Sequence, residues 1–444
     1  MTDTCKKKIL ILSHAMEIGG AERALLGLLE QLDTARYDVD LFLLRHRGEL
    51  LPLIPEKIRL LPEVPAYSVL ARPMTQTLKE GHIRLTAARL RGRRAAEKYV
   101  QAHDLGENDV AIEYSHKFTK DLMPPIQPDT EYDLAISFLT PHYFVAEKVC
   151  AKRKAAWIHT DYSTVQVDAD SQEKMWSPYD YIVSISEEVT KSFVGVFPSL
   201  RERIVLIENI LPVSLIRRQA GEPVGADFAG APAAGQTAGT DLSTVPQAEG
   251  TYQPADPRAE GKDLPAAGCG ESRTWKILSI GRFSPPKNFD NVPDICSRIL
   301  TEGISVRWYL IGYGGDEELI RRRIKEAGME EHVILLGKKE NPYPYIRACD
   351  LYAQPSRYEG KSVCVREAQL LGKPVVITDY PTAKSQLEDG ADGVIVPLDN
   401  AGCAKGIAAL LKDPARMVQL AHTCRQRDYT NGDQVKKVYR LIEG

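Results

Sequence analysis

Residues 353–377 read AQPSRYEGKSVCVREAQLLGKPVVI, and the order of signals within them decides the fold class. A short apolar strand over 351–353 runs into Pro355 and Ser356. A polar loop follows and closes on Glu359 and Gly360. A helix is expected from about Ser362, and Gly372 is the residue type favoured just past a helix end. Pro374 then leads into a second apolar strand, Val375, Val376 and Ile377. Strand, loop, helix and strand in this order point to a parallel α/β sheet.

A helix start offers unpaired backbone N–H groups and a partial positive charge, so phosphate is stabilised there. A carboxylate can accept hydrogen bonds from two neighbouring hydroxyls of a sugar or a ribose. Glu359, in the loop, and Glu367, inside the helix, are placed for such contacts with a nucleotide-sugar. Two glutamates alone favour a plain solvated helix; their surroundings reverse that preference. Glu359-Gly360 followed by Glu367-Ala368, with Pro355-Ser356 before and Gly372-Lys373-Pro374-Val375 after, resembles the donor-binding segment of family 4 retaining glycosyltransferases. The resemblance implies an α/β protein of GT-B fold, with two Rossmann-like domains whose parallel sheets face across a cleft. It extends to both ends of the chain, apart from one tract described below. Many relatives carry Phe-Gly-Leu-Pro where this chain has Lys361-Ser362-Val363-Cys364.

The 444 residues suggest two or three domains at a soft prior of ~150 residues each. A hydrophobic content of 43%, a charged content of 26% and a net charge of −3 fit an ordinary globular protein and give no argument for nucleic acid. None of the eight cysteines forms a C-x-x-C pair, so neither a zinc site nor a disulfide framework is indicated. With no signal-peptide pattern or apolar run of spanning length, the cytoplasm is the expected compartment.

The chain opens with a buried strand over 9–12, a loop from His14 to Gly20 and a helix over 21–32. Gly19-Gly20-Ala21-Glu22-Arg23 is not a dinucleotide fingerprint. It is either a plain tight turn or a place where backbone approaches a ligand. The resemblance turns Gly19 and Gly20 toward the donor phosphates and His14 toward the acceptor. Residues 39–44 form a second strand, and 50–65 an irregular excursion. Residues 84–98 are helical in composition and strongly basic. They read either as a solvated face or as a contact with an anionic membrane surface. Strands over 132–138 and 154–158 follow, and His159 closes the second at its carboxyl end, where open α/β sheets bind ligands. The resemblance makes His159 an active-site residue and leaves Asp161 to orient an acceptor hydroxyl. Ser184 with Glu187 has capping-box spacing, and Ser186 is the alternative cap.

Residues 219–272 are dominated by Ala, Gly, Pro, Thr and acidic or amide residues, without period. Such a tract cannot bury enough apolar area to offset ordering entropy, and a disordered insertion is expected. Beyond it, residues 275–280 form a strand leading to Gly281, Arg282 and Lys287. Two cations in one turn can reach one diphosphate. Asn288 stands where relatives often place Gly, and Asn tolerates positive φ. The resemblance assigns the nucleobase to backbone at Gly337 and Lys338. The expected domains are an acceptor-side domain over 1–210, hinge and insertion over 211–272, a donor domain over 273–425, and a terminal helix over 426–444 that returns to the first domain.

The implied activity is transfer of a hexosyl residue, with retention, from a UDP-sugar to a saccharide or lipid-linked acceptor in polysaccharide or glycolipid assembly. It calls for no metal and no cofactor, since the nucleotide-sugar is itself a substrate. The expected catalytic set is His159, Arg282, Lys287 and Glu359. Donor binding falls to Gly19, Gly20, Gly337, Lys338, Gly360, Lys361, Ser362, Val363 and Glu367, and acceptor contact to Asp161 and His14. Two alternatives stand beside this. A nucleotide-sugar 2-epimerase of the same fold would release free nucleotide without any acceptor. A non-catalytic nucleotide-sugar-binding protein would bind donor and transfer nothing.

Overall fold

The protein is described by a computed structural model covering residues 6–106, 108–163, 165–229 and 273–443. Seven strands build the first sheet: β1 (Lys7–Ser13), β2 (Tyr37–Leu43), β3 (Arg59–Leu60), β4 (Tyr132–Ser137), β5 (Ala151–Ile158), β6 (Tyr181–Ser184) and β7 (Ile204–Leu206). Their order is β3-β2-β1-β4-β5-β6-β7, with every pairing parallel. Six strands build the second: β8 (Trp275–Ile280), β9 (Val306–Ile311), β10 (Val333–Gly337), β11 (Leu351–Gln354), β12 (Val375–Thr378) and β13 (Val394–Val396). Their order is β10-β9-β8-β11-β12-β13, again parallel. These are the two Rossmann-like domains of the GT-B architecture.

Central strands read as unbroken apolar runs because helices cover both sheet faces. Ile9, Leu10, Ile11 and Leu12 are all buried. In the second sheet, successive side chains of β8 and β9 go to opposite faces. Ile277, Trp308 and Leu310 join one core, and Leu278, Tyr309 and Ile311 join the other. Strand order reverses between β1 and β4 and again between β8 and β11. At such switch points the loops leaving the strands diverge and open a crevice at their carboxyl ends.

Two stretches of chain link the domains and bond to each other. The Leu211 N–H donates to the Thr430 carbonyl at 3.1 Å. Asn431 Nδ2 donates to Glu208 Oε2 and to the Asn209 carbonyl, both at 3.1 Å. The first helix, Gly20–Gln31, crosses this linker at Gly27, where a Cβ would stand 2.0 Å from the Ile210 carbonyl oxygen. The last helix, Val435–Glu443, lays Val438 and Leu441 into the core of the first domain.

Several local expectations change. The excursion over 50–65 contains the edge strand β3, too short to show a period. The basic helix runs Ile83–His103, and a further helix, Val110–Thr119, packs against it. Ser186, not Ser184, caps the Glu187–Val196 helix by accepting from the Val189 N–H. Of the tract over 219–272, residues from 230 onward lie outside the described residues. Its head is folded: Phe228 is fully buried, with its ring 4.4 Å from that of Tyr309 and 5.5 Å from that of Tyr345. One aromatic among small and polar residues leaves no pattern to read, yet it suffices to anchor a turn.

Candidate active site

The loops at the carboxyl ends of the two sheets face each other across a cleft of about 470 Å³, within the range of small-molecule sites. Twelve of the expected residues line it: Gly19, Gly20, His159, Asp161, Arg282, Lys287, Lys338, Glu359, Gly360, Lys361, Ser362 and Val363. His14, Gly337 and Glu367 do not line it.

Arg282 and Lys287 belong to the turn after β8. Asn288 takes φ 60°, the left-handed region, and its side-chain amide donates to the Pro355 carbonyl at 2.9 Å. That bond ties the cationic turn to the loop after β11. In that loop Glu359 accepts from Lys287 Nζ at 2.6 Å and from the Ser356 hydroxyl at 2.6 Å. The helix that follows spans Val363–Leu370, with Ser362 at its N-cap. The Ser362 N–H donates to Gln386 Oε1 at 2.8 Å, so the amides of Val363, Cys364 and Val365 are the ones the first turn leaves for a ligand. Gly337 takes φ +68° and its carbonyl accepts from the Gly312 N–H. It holds the loop that brings Lys338 forward.

On the opposite wall, His159 directly follows β5, with its ring 4.7 Å from that of Phe138. Burial lowers its pKa to about 4, so at neutral pH the imidazole is uncharged. Its Nε2 finds no partner among the described residues. Asp161 Oδ1 accepts from both the N–H and the hydroxyl of Ser163. His14 is half-buried, with its ring 5.5 Å from that of His116, and desolvation lowers its pKa to about 4 as well. Cys364 borders the cleft, but burial pushes its thiol up to about 12; it is no thiolate nucleophile.

Among the described residues, three ion pairs join the domains across the cleft. Lys338 pairs with Glu49 and Lys361 with Glu208. The hydrogen bond from Lys338 holds the Glu49 carboxyl below its usual range. The third pair, Arg23 with Glu367, is buried. Sequence reasoning named Glu367 and passed over Arg23, although Arg23 follows the Gly19-Gly20 pair closely, in the first turn of the helix after β1.

Residues 270–429 match the family model of glycosyl transferases group 1, so the C-terminal domain belongs to that family. Solved GT-B structures align over nearly the whole chain. Anabaena HepE, in complex with UDP and glucose, aligns over 98% of this chain and 99% of its own at 17% identity, with a TM-score of 0.60. A Staphylococcus aureus TarM mutant aligns over 99% of this chain and 100% of its own at 13% identity, with a TM-score of 0.62. At these identities the likeness is one of fold. Among curated proteins, an N-acetylgalactosaminyltransferase of Campylobacter jejuni acting on a diphospho-undecaprenol-linked saccharide is 32% identical over 31% of this chain. The phosphatidyl-myo-inositol mannosyltransferase of Mycobacterium leprae is 28% identical over 58% of it. The aligned parts span 37% and 65% of those two relatives.

Proposed function

We propose that the protein transfers a hexosyl residue from a UDP-sugar to a saccharide or lipid-linked acceptor, with retention and without a divalent ion. The observation that carries this reading is the meeting of Arg282, Lys287, Glu359 and the Val363–Leu370 helix start with Gly19, Gly20 and His159 in one cleft. Arg282 and Lys287 stabilise the charge that develops on the diphosphate as its bond to the sugar breaks, and the helix amides add to this. Glu359 receives sugar hydroxyls. His159 faces the reacting carbon as a neutral imidazole, and Asp161 and His14 belong to the acceptor side. Among the described residues no side chain is evident as a nucleophile, so the acceptor attacks the face that the diphosphate leaves. The departing phosphate oxygen takes the acceptor's proton.

The relatives' names supply the acceptor class and HepE the donor base. Thermal-shift screening against UDP-, GDP- and ADP-sugars, followed by NMR of the product's anomeric centre, tests the proposal. An inverted product removes the retaining mechanism. Release of nucleotide from donor alone, with the sugar epimerised, replaces transfer by epimerisation.

The basic helix is proposed to rest on the anionic inner face of a membrane, which places the protein in the cytoplasm. Its outer side exposes Ile83 (65%) and Leu90 (38%). Beside them stand Arg84, Arg91, Arg94 and Lys98, none in an ion pair among the described residues, whereas Arg93 pairs with Glu97. Apolar side chains among such cations suit a headgroup boundary. Among the described residues no helix is long and apolar enough to cross a membrane.

A further inference from the structure

Tyr313 stands two residues past β9, in the loop over 312–315. Backbone contacts hold this loop from both sides. The Gly312 N–H donates to the Gly337 carbonyl at 3.0 Å, and the Phe283 N–H donates to the Tyr313 carbonyl at 2.8 Å. A Cβ at Gly312 would stand 1.9 Å from the Gly281 carbonyl oxygen, and one at Gly314 would stand 2.3 Å from that of Phe283. The loops after β8, β9 and β10 are thus clamped together. The large side chain between those two glycines, Tyr313, is 41% exposed and lines the cleft.

An exposed tyrosine means little by itself; its place decides. Among the described residues it is the only Phe, Trp or Tyr on the cleft wall. Such a ring offers a flat face on which a base can stack, whatever the base's hydrogen-bonding edge. A nucleotide-sugar carries its sugar and its nucleoside at opposite ends of the diphosphate. The sheet order β10-β9-β8-β11 sets the Arg282 and Lys287 turn between the loop of Glu359 on one side and Tyr313 on the other. With the diphosphate on that turn and the sugar at Glu359, the nucleoside extends toward β9 and β10. The Lys338 ammonium lies 4.9 Å from the Tyr313 ring centroid and is paired with Glu49 of the first domain. The ring therefore stands at the β10 end of the cleft, where the base arrives.

We infer that the Tyr313 ring is the platform on which the nucleobase of the donor stacks. The inference rests on the nucleotide-sugar reading above and adds to it the side chain that grips the base. Because the loop is clamped by its neighbours, little ordering of backbone opposes the contact.

The test is calorimetric titration of UDP, GDP and ADP into the full chain and its Tyr313 variants, with a melting curve for each protein. Inorganic pyrophosphate serves as the probe that lacks a base. For whichever nucleotide binds the unaltered chain, Tyr313→Phe keeps the affinity within about twofold, while Tyr313→Leu and Tyr313→Ala each lose about fivefold or more. Leucine supplies apolar bulk without a flat face, so its loss separates stacking from volume. Pyrophosphate binds all four proteins alike. Equal nucleotide affinity across the series overturns the inference and leaves Tyr313 as a partner of Lys338 alone. Weakening of pyrophosphate by the same factor as the nucleotide overturns it too, since the ring would then only shape the cationic turn. If pyrophosphate gives no measurable heat, the contrast between Tyr313→Phe and Tyr313→Leu at equal melting temperature decides. If the unaltered chain binds pyrophosphate and no nucleoside diphosphate more tightly, the inference falls and the cationic turn stands. If it binds neither, the nucleotide-sugar reading falls as well.

Discussion

Lys287 Nζ lies 2.6 Å from Glu359 Oε1, which makes the cation after β8 and the carboxylate after β11 a single unit. The carboxylate orients the amine, and the amine's remaining N–H groups stay available to phosphate. Lys287→Ala is expected to lower kcat/KM by about 10²–10³, the usual size of a lost charge-stabilising contact. Glu359→Gln should instead leave nucleoside diphosphate affinity close to that of the unaltered chain while turnover with the sugar donor collapses. Calorimetry with UDP beside steady-state kinetics separates the two. Parallel losses in both measurements would contradict a sugar-facing role for Glu359.

Four histidines that are desolvated in the fold make stability depend on acid. His14 and His159 are lowered to about 4 by burial. His116 and His142 are lowered as well, by burial first and then by neighbouring histidines. In the unfolded chain such groups protonate near ~6.5. Below that pH the unfolded state binds more protons than the folded one, so stability falls as pH falls. The melting temperature should therefore be insensitive to these groups above about pH 7 and drop steadily from about 6.5 toward 4. A melting temperature that holds constant through that window would refute the neutral state of these four histidines.

His159→Ala should cut turnover while the melting temperature at neutral pH stays near that of the unaltered chain. Because His159 stays uncharged down to about pH 4, an acid limb lying above that pH should not move with this substitution. Unchanged turnover would remove His159 from the reaction.

Phe228 divides the tract after the first domain into two parts. Replacing 230–272 with a short Gly/Ser linker should preserve activity. Phe228→Ala should cost about 3–5 kcal/mol, the range for a buried aromatic truncated in a core. Denaturant titration of both variants checks this. A linker variant that fails to fold would show that composition misjudged the tract.

Charge reversal of Arg91 and Arg94 to Glu tests the membrane contact. Each basic side chain near an anionic surface contributes ~1 kcal/mol, so the double variant should lose at least tenfold in sedimentation with anionic vesicles. Its kinetics with a soluble acceptor should be unaltered. Equal sedimentation of both proteins would reduce the helix to a solvated face.

Much of the molecule was legible from local pattern. Buried parallel strands stand out as apolar runs such as 9–12 and 306–311, because both faces of each strand are covered. The loops after β8 and β11 were singled out because Arg282, Lys287 and Glu359, with their neighbours, resemble a known family's motifs; spacing alone would have left them as solvated charges. Asn288 could be placed in a turn because few residues accept its positive φ. The edge strand β3 and the anchor Phe228 were missed, since neither two strand residues nor one aromatic makes a period.

What folding alone decided is who meets whom across the domain boundary. Arg23 and Glu367 are 344 positions apart, and nothing local distinguishes a glutamate that faces a sugar from one that grips a guanidinium. Backbone conformation and burial leave periodic marks over a few neighbouring residues. A contact between two separately folded sheets depends on the path of the linker and on the shape of both surfaces, and that information is spread over the whole chain.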